Sequence, residues 1–397
     1  MNSSRLDFLT MLGSVAAVPG AVAGAPSATA PLARALVLSG GGARGAYEAG
    51  IIGGMVAGLG IRDGEPIRPY GLICGTSIGA LNGWFVATGQ YSALKDLWYG
   101  VSAEHLIRLK PKFAALRNPD SGVGDRFLSA LYLATLTKNE VAFLESGPVL
   151  DWIKTHVDLR RPLLMPLVWV STNLTAQRAE YFYARPPNAP PRDLSIIIDA
   201  LHLAIGPNTV VREASVDLFH RELFASACIP LAFDPIAIPQ PDGSLNLYCD
   251  GGVASNSPVT VAHSVSSAVD VVLIDPPFEP ITDYTDALDV AFGTFGTMQR
   301  KILTNDMRSV YFQSLAKHAF AQLSPAAMRR LVQEEPMFRT FFESLPATDL
   351  RYVRPKSTLP LGTGAFSDEE GIGKAYRIGW EDAQAGFTPY NWRTFDA

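Results

Sequence analysis

The stretch YGLICGTSIGALNGWFVAT, residues 70–88, places a serine between two glycines where one apolar pattern ends and another begins. Residues 70–75 form a short, continuous apolar run, which is typical of a buried strand. The apolar segment from residue 78 to residue 88 is longer, and its pattern favours a helix. Ser77 then falls in the tight turn that joins the strand to the helix. This order of strand, turn and helix is typical of a parallel sheet whose strands are linked by helices.

The same order of elements occurs earlier in the chain, at residues 35–59. The run ALVL at residues 35–38 predicts a strand, and residues 45–59 predict a helix whose glycines would allow close packing on the sheet. We therefore predict an α/β fold, with a parallel-rich central sheet flanked by helices and a helical C-terminal extension. The remaining predictions are strands at residues 163–174, 270–275 and 350–355, a Pro-rich loop at residues 181–193, and mostly helical structure at residues 287–342.

Ser77 has the sequence surroundings of a catalytic nucleophile. Gly75-Thr76-Ser77-Ile78-Gly79 is a G-x-S-x-G pattern, which in a nucleophile elbow exposes the serine hydroxyl on a strained turn. Gly75 and Gly79 supply the small neighbours that such a crowded turn requires. The dipole of the following helix would favour negative charge that develops at the site. An ordinary serine in a strand-to-helix turn is the alternative, because the five-residue pattern also occurs by chance.

A glycine-rich segment, SGGGARGAYEAG at residues 39–50, precedes the other predicted helix. Consecutive glycines leave backbone N–H groups unobstructed, as an oxyanion hole for acyl transfer requires. Gly41 and Gly42 are the best candidates for these donors. Arg44 would either hold the loop or contact an anionic group. A glycine-rich turn that only packs a helix on a strand is the alternative.

The same glycines also fit a different function. Gly40, Gly42 and Gly45 satisfy G-x-G-x-x-G, the dinucleotide-binding fingerprint, after a strand and before a helix. That fingerprint requires an acidic residue at the end of the next strand, whereas Asp63 and Glu65 precede the predicted strand. A nucleotide-binding protein therefore stays open as an alternative function.

A serine nucleophile needs an adjacent base, and Asp250 is the leading candidate. The segment YCDGGVASNSPV, residues 248–259, places Asp250 at a strand end, followed by Gly251 and Gly252. A carboxylate beside flexible backbone can reach into a cleft and accept a proton within hydrogen-bond distance. An aspartate that only forms a local turn bond is the alternative, since this is common before glycine.

Histidine is the more usual base of serine hydrolases. In the α/β-hydrolase order the histidine follows the acid. Of the six histidines, His263 and His318 follow Asp250, and both lie in helix-like segments that favour structural or surface roles. A His-dependent esterase or peptidase is nevertheless kept as a second alternative function.

In combination, these segments resemble the patatin-like phospholipase family. The glycine loop at residues 40–45, the elbow at residues 75–79 and the D-G-G segment at residues 250–252 stand in the order of that family. Residues 225–236, ASACIPLAFDPI, are similar to the family segment that precedes its aspartate. Residues 171–182, STNLTAQRAEYF, are similar to its central strand and the following turn.

The resemblance covers about residues 35–254 and implies a serine lipid acyl hydrolase of the phospholipase A or lipase type. It implies a Ser77–Asp250 dyad without histidine, an oxyanion hole in the glycine loop and an acyl-enzyme intermediate. Such a mechanism needs no metal ion and no organic cofactor. The implied fold is the patatin type, which is related to the α/β-hydrolase architecture. The expected partner is a lipid or another acyl ester, bound in an apolar cleft.

The composition of the chain indicates which partners other than a lipid substrate it is suited to bind. The 33 Lys and Arg residues against 38 Asp and Glu residues give a formal net charge of −5. Together with the lack of a long basic run, this charge argues against a dedicated nucleic-acid binder. The three cysteines are too few for a disulfide scaffold and are predicted to be buried thiols. Peripheral membrane contact is left open for residues 287–342, whose Met and aromatic residues otherwise indicate core packing.

The first 30 residues have the layout of a secretory signal peptide. Arg5 is followed by an apolar stretch and by Ala21-Val22-Ala23, an A-x-A cleavage pattern. We therefore expect export to the periplasm or the medium. A disordered or helical extension of a cytoplasmic or membrane-peripheral protein is the alternative. We divide the rest of the chain into a catalytic domain at residues 31–280 and a helical region at residues 281–397 that packs on it.

Overall fold

The computed structural model describes residues 34–101, 142–188, 209–275, 287–334, 347–362 and 368–395, with Leu106, Arg108, Lys110, Pro111 and Phe366. In these residues, ten strands form one mixed, mostly parallel sheet, and two further strands form a separate parallel pair. The sheet strands are β1 (Ala35–Leu38), β2 (Leu72–Thr76), β4 (Leu167–Asn173), β5 (Arg178–Ala184), β6 (Val210–Glu213), β8 (Ile236–Pro239), β9 (Leu245–Asp250), β10 (Ala268–Val272), β11 (Asp349–Val353) and β12 (Thr388–Pro389), and the pair is β3 (Ala142–Leu144) and β7 (Leu231–Phe233).

Helices cover both faces of this sheet. They are α1 (Gly45–Leu59), α2 (Ile78–Ala87), α3 (Tyr91–Gly100), α4 (Ser146–His156), α5 (Phe219–Ser226), α6 (Val259–Val265), α7 (Ala287–Ala321), α8 (Pro325–Glu334), α9 (Glu369–Ala385) and α10 (Trp392–Phe395). Side chains of β1 alternate between two apolar cores, as strand geometry requires. Leu36 and Leu38 belong to the core with α1, α2 and α9, whereas Ala35 and Val37 belong to the core with α6 and α7. The predicted fold class, including the helical C-terminal region, is confirmed.

The order of the strands brings distant segments of the chain together. Strands β11, β10, β1, β2 and β4 lie side by side and run parallel. Thr76 at the end of β2 is paired with Val170 on β4. The next residue of β4, Ser171, is paired with Asp250 on the antiparallel strand β9. Ser77 and Asp250 therefore lie beside the same end of β4, although 173 positions separate them.

The glycines of α1 pack against a helix and not, as predicted, against the sheet. A Cβ atom on Gly50 would collide with the carbonyl oxygen of Tyr376 in α9, and one on Gly54 would lie 2.6 Å from Ala383 Cβ. Gly379 in α9 makes the reciprocal close approach to the Tyr47 carbonyl. Glycines on both helices thus let the two backbones touch, a contact that a pattern within one segment does not reveal.

The predicted Pro-rich loop at residues 181–193 begins too early. Residues 181–184 belong to β5, which pairs with β4 along its whole length. Tyr181, Phe182 and Tyr183 are buried there, and the first proline follows only at position 186, so the ladder keeps its N–H donors. Residues 189–193 lie outside the described residues.

The C-terminal region contains strands as well as helices. Strand β11 extends the sheet beside β10, close to the strand predicted at residues 350–355. Helices α7 and α8 agree with the helical prediction for residues 287–342 as far as Glu334, beyond which the prediction lies outside the described residues. The described helices include none with the length and apolarity to cross a membrane.

The N-terminal residues 1–33 lie outside the described residues, so export remains a prediction, as does peripheral contact with a membrane. The division of the chain at residues 30 and 280 is also still a prediction. All three cysteines are buried free thiols, as expected.

Candidate active site

Ser77 occupies a strained turn between β2 and α2. Its φ of 54° lies in the left-handed region, which residues other than glycine rarely adopt. A Cβ atom on Gly75 would lie 2.5 Å from the carbonyl oxygen of Gly79, and one on Gly79 would collide with the carbonyl of Leu38. Both glycines of the G-x-S-x-G pattern are therefore required by close backbone contacts. The turn presents the serine at the N-terminus of α2.

The hydroxyl of Ser77 is bonded to Asp250. Ser77 Oγ donates a 2.6 Å hydrogen bond to Asp250 Oδ2, and the N–H of Gly252 donates to Asp250 Oδ1 at 2.7 Å. Both partners are nearly inaccessible, with exposed fractions of 4% for Ser77 and 1% for Asp250. Burial raises the pKa of the Asp250 carboxyl to about 7, although the bonds from Ser77 and Gly252 oppose this shift. A carboxyl that titrates near neutral pH is suited to exchange protons with a serine.

The glycine loop contacts the serine turn from the side of β1. The N–H of Gly40 donates to the carbonyl of Asn256 at 3.1 Å, so it is not available for an oxyanion. Gly42 begins a short 3-10 turn, and Gly41 is the residue directly before it. The first N–H groups of such a turn have no partner within the turn. Gly42 also lines the same cleft as Ser77. The loop geometry thus favours Gly41 and Gly42 over Gly40 as donors.

Arg44 fastens the loop to later parts of the chain. Its Nη1 donates to Asp275 Oδ1 at 3.0 Å, and its Nε donates to the carbonyl of Leu361 at 3.2 Å. Gly45, the next residue, has Ile78 and Trp98 where a side chain would start. Two roles were predicted for Arg44, holding the loop or contacting an anionic group. These contacts favour the first role.

The two glycines after Asp250 also stand in close contacts. A Cβ atom on Gly251 would collide with the carbonyl oxygen of Val170 on β4. One on Gly252 would lie 2.9 Å from both Asp250 Oδ1 and Asn256 Oδ1. The D-G-G segment therefore lets the backbone turn tightly around the carboxylate.

An apolar cleft opens beside Ser77. Half of its lining residues come from α2, α3, α4 and α5, and Phe366 adds one from the C-terminal region. Apart from Ser77, the described residues that line it are apolar, aromatic or glycine, including Leu81, Trp98, Trp152, Leu223 and Phe233. A cleft with such walls can accept a hydrocarbon chain.

The described histidines that follow Asp250 are placed away from the serine. His263 on α6 is buried, and its ring nitrogens contact Thr348 Oγ1 at 2.7 Å and Gln313 Oε1 at 3.1 Å. Burial lowers the pKa of His263 to about 4. His318 is exposed near the end of α7. The hydrogen-bond partner of the Ser77 hydroxyl is Asp250 and not a histidine.

The acidic residues that a dinucleotide site would use also lie elsewhere. Asp63 Oδ1 accepts the N–H of Ser92, and Glu65 Oε2 accepts that of Arg62. Both precede β2, whereas the glycine loop follows the end of β1, which is parallel to β2. These carboxylates therefore lie near the N-terminal ends of the parallel strands, whereas the glycine loop lies at their C-terminal ends. In the described ranges, no cluster of three or more His, Cys, Asp or Glu side chains is arranged to hold a metal ion.

Several residues of the site carry no obvious sequence signal. Ser226 Oγ accepts the N–H of Ser77 at 2.9 Å and donates to the carbonyl of Val170 at 2.6 Å, which fixes the turn. Ser226 lies in the family-like segment at residues 225–236, where a search for hydroxyl groups near the aspartate could have found it. Asn256 is a second such residue, since its main chain bonds to Gly40.

A buried network behind the elbow was also not predicted. Asn82 Nδ2 donates to Glu48 Oε2 at 2.7 Å and to the Gly45 carbonyl at 3.1 Å, and Trp98 Nε1 donates to Asn82 Oδ1 at 3.0 Å. Burial raises the pKa of Glu48 to about 8, so its carboxyl is mostly protonated at neutral pH. The network ties α1, α2 and α3 together around the serine turn and holds Trp98 in the cleft wall.

Comparison with known proteins places the chain in a family of lipid acyl hydrolases. A family model described as patatin-like phospholipase matches residues 36–263, more than half of the chain, and these residues include both Ser77 and Asp250. The chain belongs to the patatin-like phospholipase family.

Comparisons beyond the family add little. No curated protein matches the sequence. Among solved structures, VipD from Legionella pneumophila is similar at 15% sequence identity and a TM-score of 0.35, over 90% of this chain and 67% of that one. A likeness at this level supports no inference about this chain.

Proposed function

We propose that the protein is a serine lipid acyl hydrolase of the phospholipase A or lipase type, with Ser77 as nucleophile and Asp250 as general base. The observation that carries this proposal is the 2.6 Å hydrogen bond from Ser77 Oγ to Asp250 Oδ2 beside an apolar cleft. A carboxylate within hydrogen-bond reach of a serine hydroxyl can accept its proton. Membership of the patatin-like phospholipase family supports the same class of reaction.

The reaction proceeds in two halves. In the first, Asp250 accepts the Ser77 proton while Oγ attacks the ester carbonyl, and the N–H groups of Gly41 and Gly42 stabilise the oxyanion. Collapse of the tetrahedral intermediate expels the alcohol, which takes the proton from Asp250, and leaves an acyl group on Ser77. In the second half, water attacks this acyl group and releases the carboxylic acid. The cleft holds the acyl chain during both halves.

Hydrolysis of p-nitrophenyl esters of increasing chain length by the purified wild-type protein tests this function. We expect release of p-nitrophenol to be faster for medium and long acyl chains than for acetate, because only a longer chain fills the apolar cleft. Mass spectrometry after reaction with a fluorophosphonate should find the label on Ser77. Absence of hydrolysis for every chain length, together with measurable NAD binding, would instead support the nucleotide-binding alternative.

The pH dependence of kcat/KM depends on the protonation state of Asp250, the proposed base. Burial raises the pKa of Asp250 to about 7, so the carboxyl is mostly protonated below this pH and cannot accept the serine proton. We therefore expect kcat/KM to rise with pH, about tenfold per pH unit well below 7, and to level off above it. Initial rates with an ester that does not itself ionise, measured between about pH 5 and pH 9, show this profile. A flat profile over this range contradicts it.

Replacing Arg44 with alanine should slow turnover more than it changes stability. The variant loses the bonds to Asp275 and to the Leu361 carbonyl that fasten the glycine loop. We expect kcat to fall about tenfold, less than the 10²–10³ expected for loss of an oxyanion donor itself. Arg160→Ala, which removes a 91% exposed arginine paired with Asp158, is the matched control and should leave kcat unchanged. An Arg44→Ala variant with wild-type kcat refutes the loop-holding role.

A further inference from the structure

The turn that follows Asp250 contacts both other motifs of the site. The carbonyl of Asn256 accepts the N–H of Gly40 in the glycine loop at 3.1 Å. The carbonyl of Ser255 accepts the hydroxyl of Thr76, the residue before Ser77, at 2.9 Å. Asn256 is therefore anchored by its main chain between the candidate oxyanion donors and the candidate base.

The side chain of Asn256 is buried without a partner. Its exposed fraction is 1%, and neither amide atom has a hydrogen-bond partner within the part of the chain that the structure describes. A buried amide that makes no hydrogen bond lowers stability, so such a group calls for an explanation. Its main-chain bond to Gly40 does not require this side chain, because any residue has a carbonyl group.

The location of this amide supplies the explanation. Asn256 Oδ1 lies 2.7 Å from the point where a Cβ on Gly40 would stand, and 2.9 Å from the corresponding point on Gly252. Asp250 Oδ1 is also 2.9 Å from that point on Gly252, and the amide nitrogen of Gln299 is the atom nearest to it. The free amide and the carboxylate of the base thus border the same small region next to Ser77.

We infer that Asn256 is a positioning residue for the second half of the reaction, where its amide orients the water that Asp250 activates. This inference rests on the Ser77–Asp250 mechanism proposed above. A bound water needs about three hydrogen-bond partners, and the amide oxygen, the amide nitrogen and the carboxylate together offer them. The amide is thus a partner for water that the first half of the reaction does not use.

The chemical step is balanced without any further reactant. The water oxygen attacks the acyl carbon on Ser77 while one water proton passes to Asp250. The tetrahedral intermediate then collapses, and the bond between the acyl carbon and Ser77 Oγ breaks. The proton returns from Asp250 to Oγ, and the carboxylic acid leaves. Asn256 forms no covalent bond in this sequence.

Pre-steady-state kinetics of the full-length protein with a p-nitrophenyl ester separate this role from a structural one. Asn256→Leu is the main variant, because leucine has a similar shape and removes only the hydrogen-bonding atoms, and Asn256→Ala is a second variant in case the first fails to fold. Slower deacylation lowers kcat and KM together, so we expect both to fall about tenfold while kcat/KM stays within about twofold. A burst of about one p-nitrophenol per enzyme should precede the slow phase.

Ser257→Ala is the matched control for the Asn256 variants. Ser257→Ala removes an equally buried hydroxyl without a partner among the described residues, and it should show wild-type kinetics. A parallel fall of kcat and kcat/KM in the Asn256 variants, or an unchanged kcat, overturns the role of Asn256. If Ser77→Ala retains the rate of the wild type, the Ser77–Asp250 mechanism fails as well, which distinguishes the two failures.

Discussion

Replacing Ser77 with alanine should abolish ester hydrolysis, with a fall in kcat of at least about 10⁴-fold. The change removes the oxygen that is proposed to attack the substrate, and no other hydroxyl contacts Asp250 Oδ2 among the described residues. Alanine lacks only the Oγ atom, so it meets the same backbone strain at a φ of 54° and the neighbouring contacts are retained. Turnover of the preferred p-nitrophenyl ester by wild type and variant, with thermal unfolding of both, measures the effect.

A second buried serine provides the control for this experiment. Ser264 on α6 lies beside the other core of the sheet, where its hydroxyl bonds to the Val261 carbonyl. Ser264→Ala should retain activity within about twofold, since it removes a buried hydroxyl far from the elbow. Hydrolysis by Ser77→Ala at a rate near that of the wild type would contradict the proposed nucleophile.

Replacing Asp250 with asparagine should lower kcat by about 10³–10⁴-fold while the protein stays folded. Asparagine has the same shape and can still accept the Gly252 N–H, but it cannot accept a proton from Ser77. Above pH 7 we expect the thermal stability to be equal to or higher than that of the wild type, because the variant no longer buries a charge. Steady-state rates at about pH 8, with melting curves at the same pH, test both statements.

The same assay, applied to a histidine variant, decides whether the carboxylate or a histidine is the base. His263→Gln keeps a polar side chain near Thr348 and Gln313, and it should retain turnover within about threefold. Loss of activity in His263→Gln, together with normal activity in Asp250→Asn, would replace the proposed dyad by a His-dependent mechanism.

The sequence predicts local features of this fold better than contacts between distant segments. The strand, turn and helix at residues 70–88 follow from apolar patterns and glycines that lie within one short stretch. Asp250 could be proposed from its D-G-G context and from the family resemblance, but its distance from Ser77 depends on the register of β2, β4 and β9. That register is set by the packing of the whole sheet, which no single segment encodes.

The features that were predicted wrongly or not at all also depend on contacts between distant segments. The glycines of α1 indicate a close approach, but the partner is α9, whose own glycine stands far along the chain. Ser226 and Asn256 become visible as site residues only when their elements pack beside the elbow. For β5, the prolines after residue 185 suggested a loop that begins earlier than the pairing with β4 allows.

The close contact between α1 and α9 also has a consequence for synthesis of the chain. Tyr47 in α1 donates a hydrogen bond to Asp382 in α9, 335 positions later. The ribosome synthesises α1 long before α9. Until α9 has been made, the glycine face of α1 lacks its packing partner. The glycine loop precedes this helix directly, and its final placement therefore comes late. The proposed oxyanion donors in this loop therefore reach their final positions only after nearly all of the polypeptide has emerged.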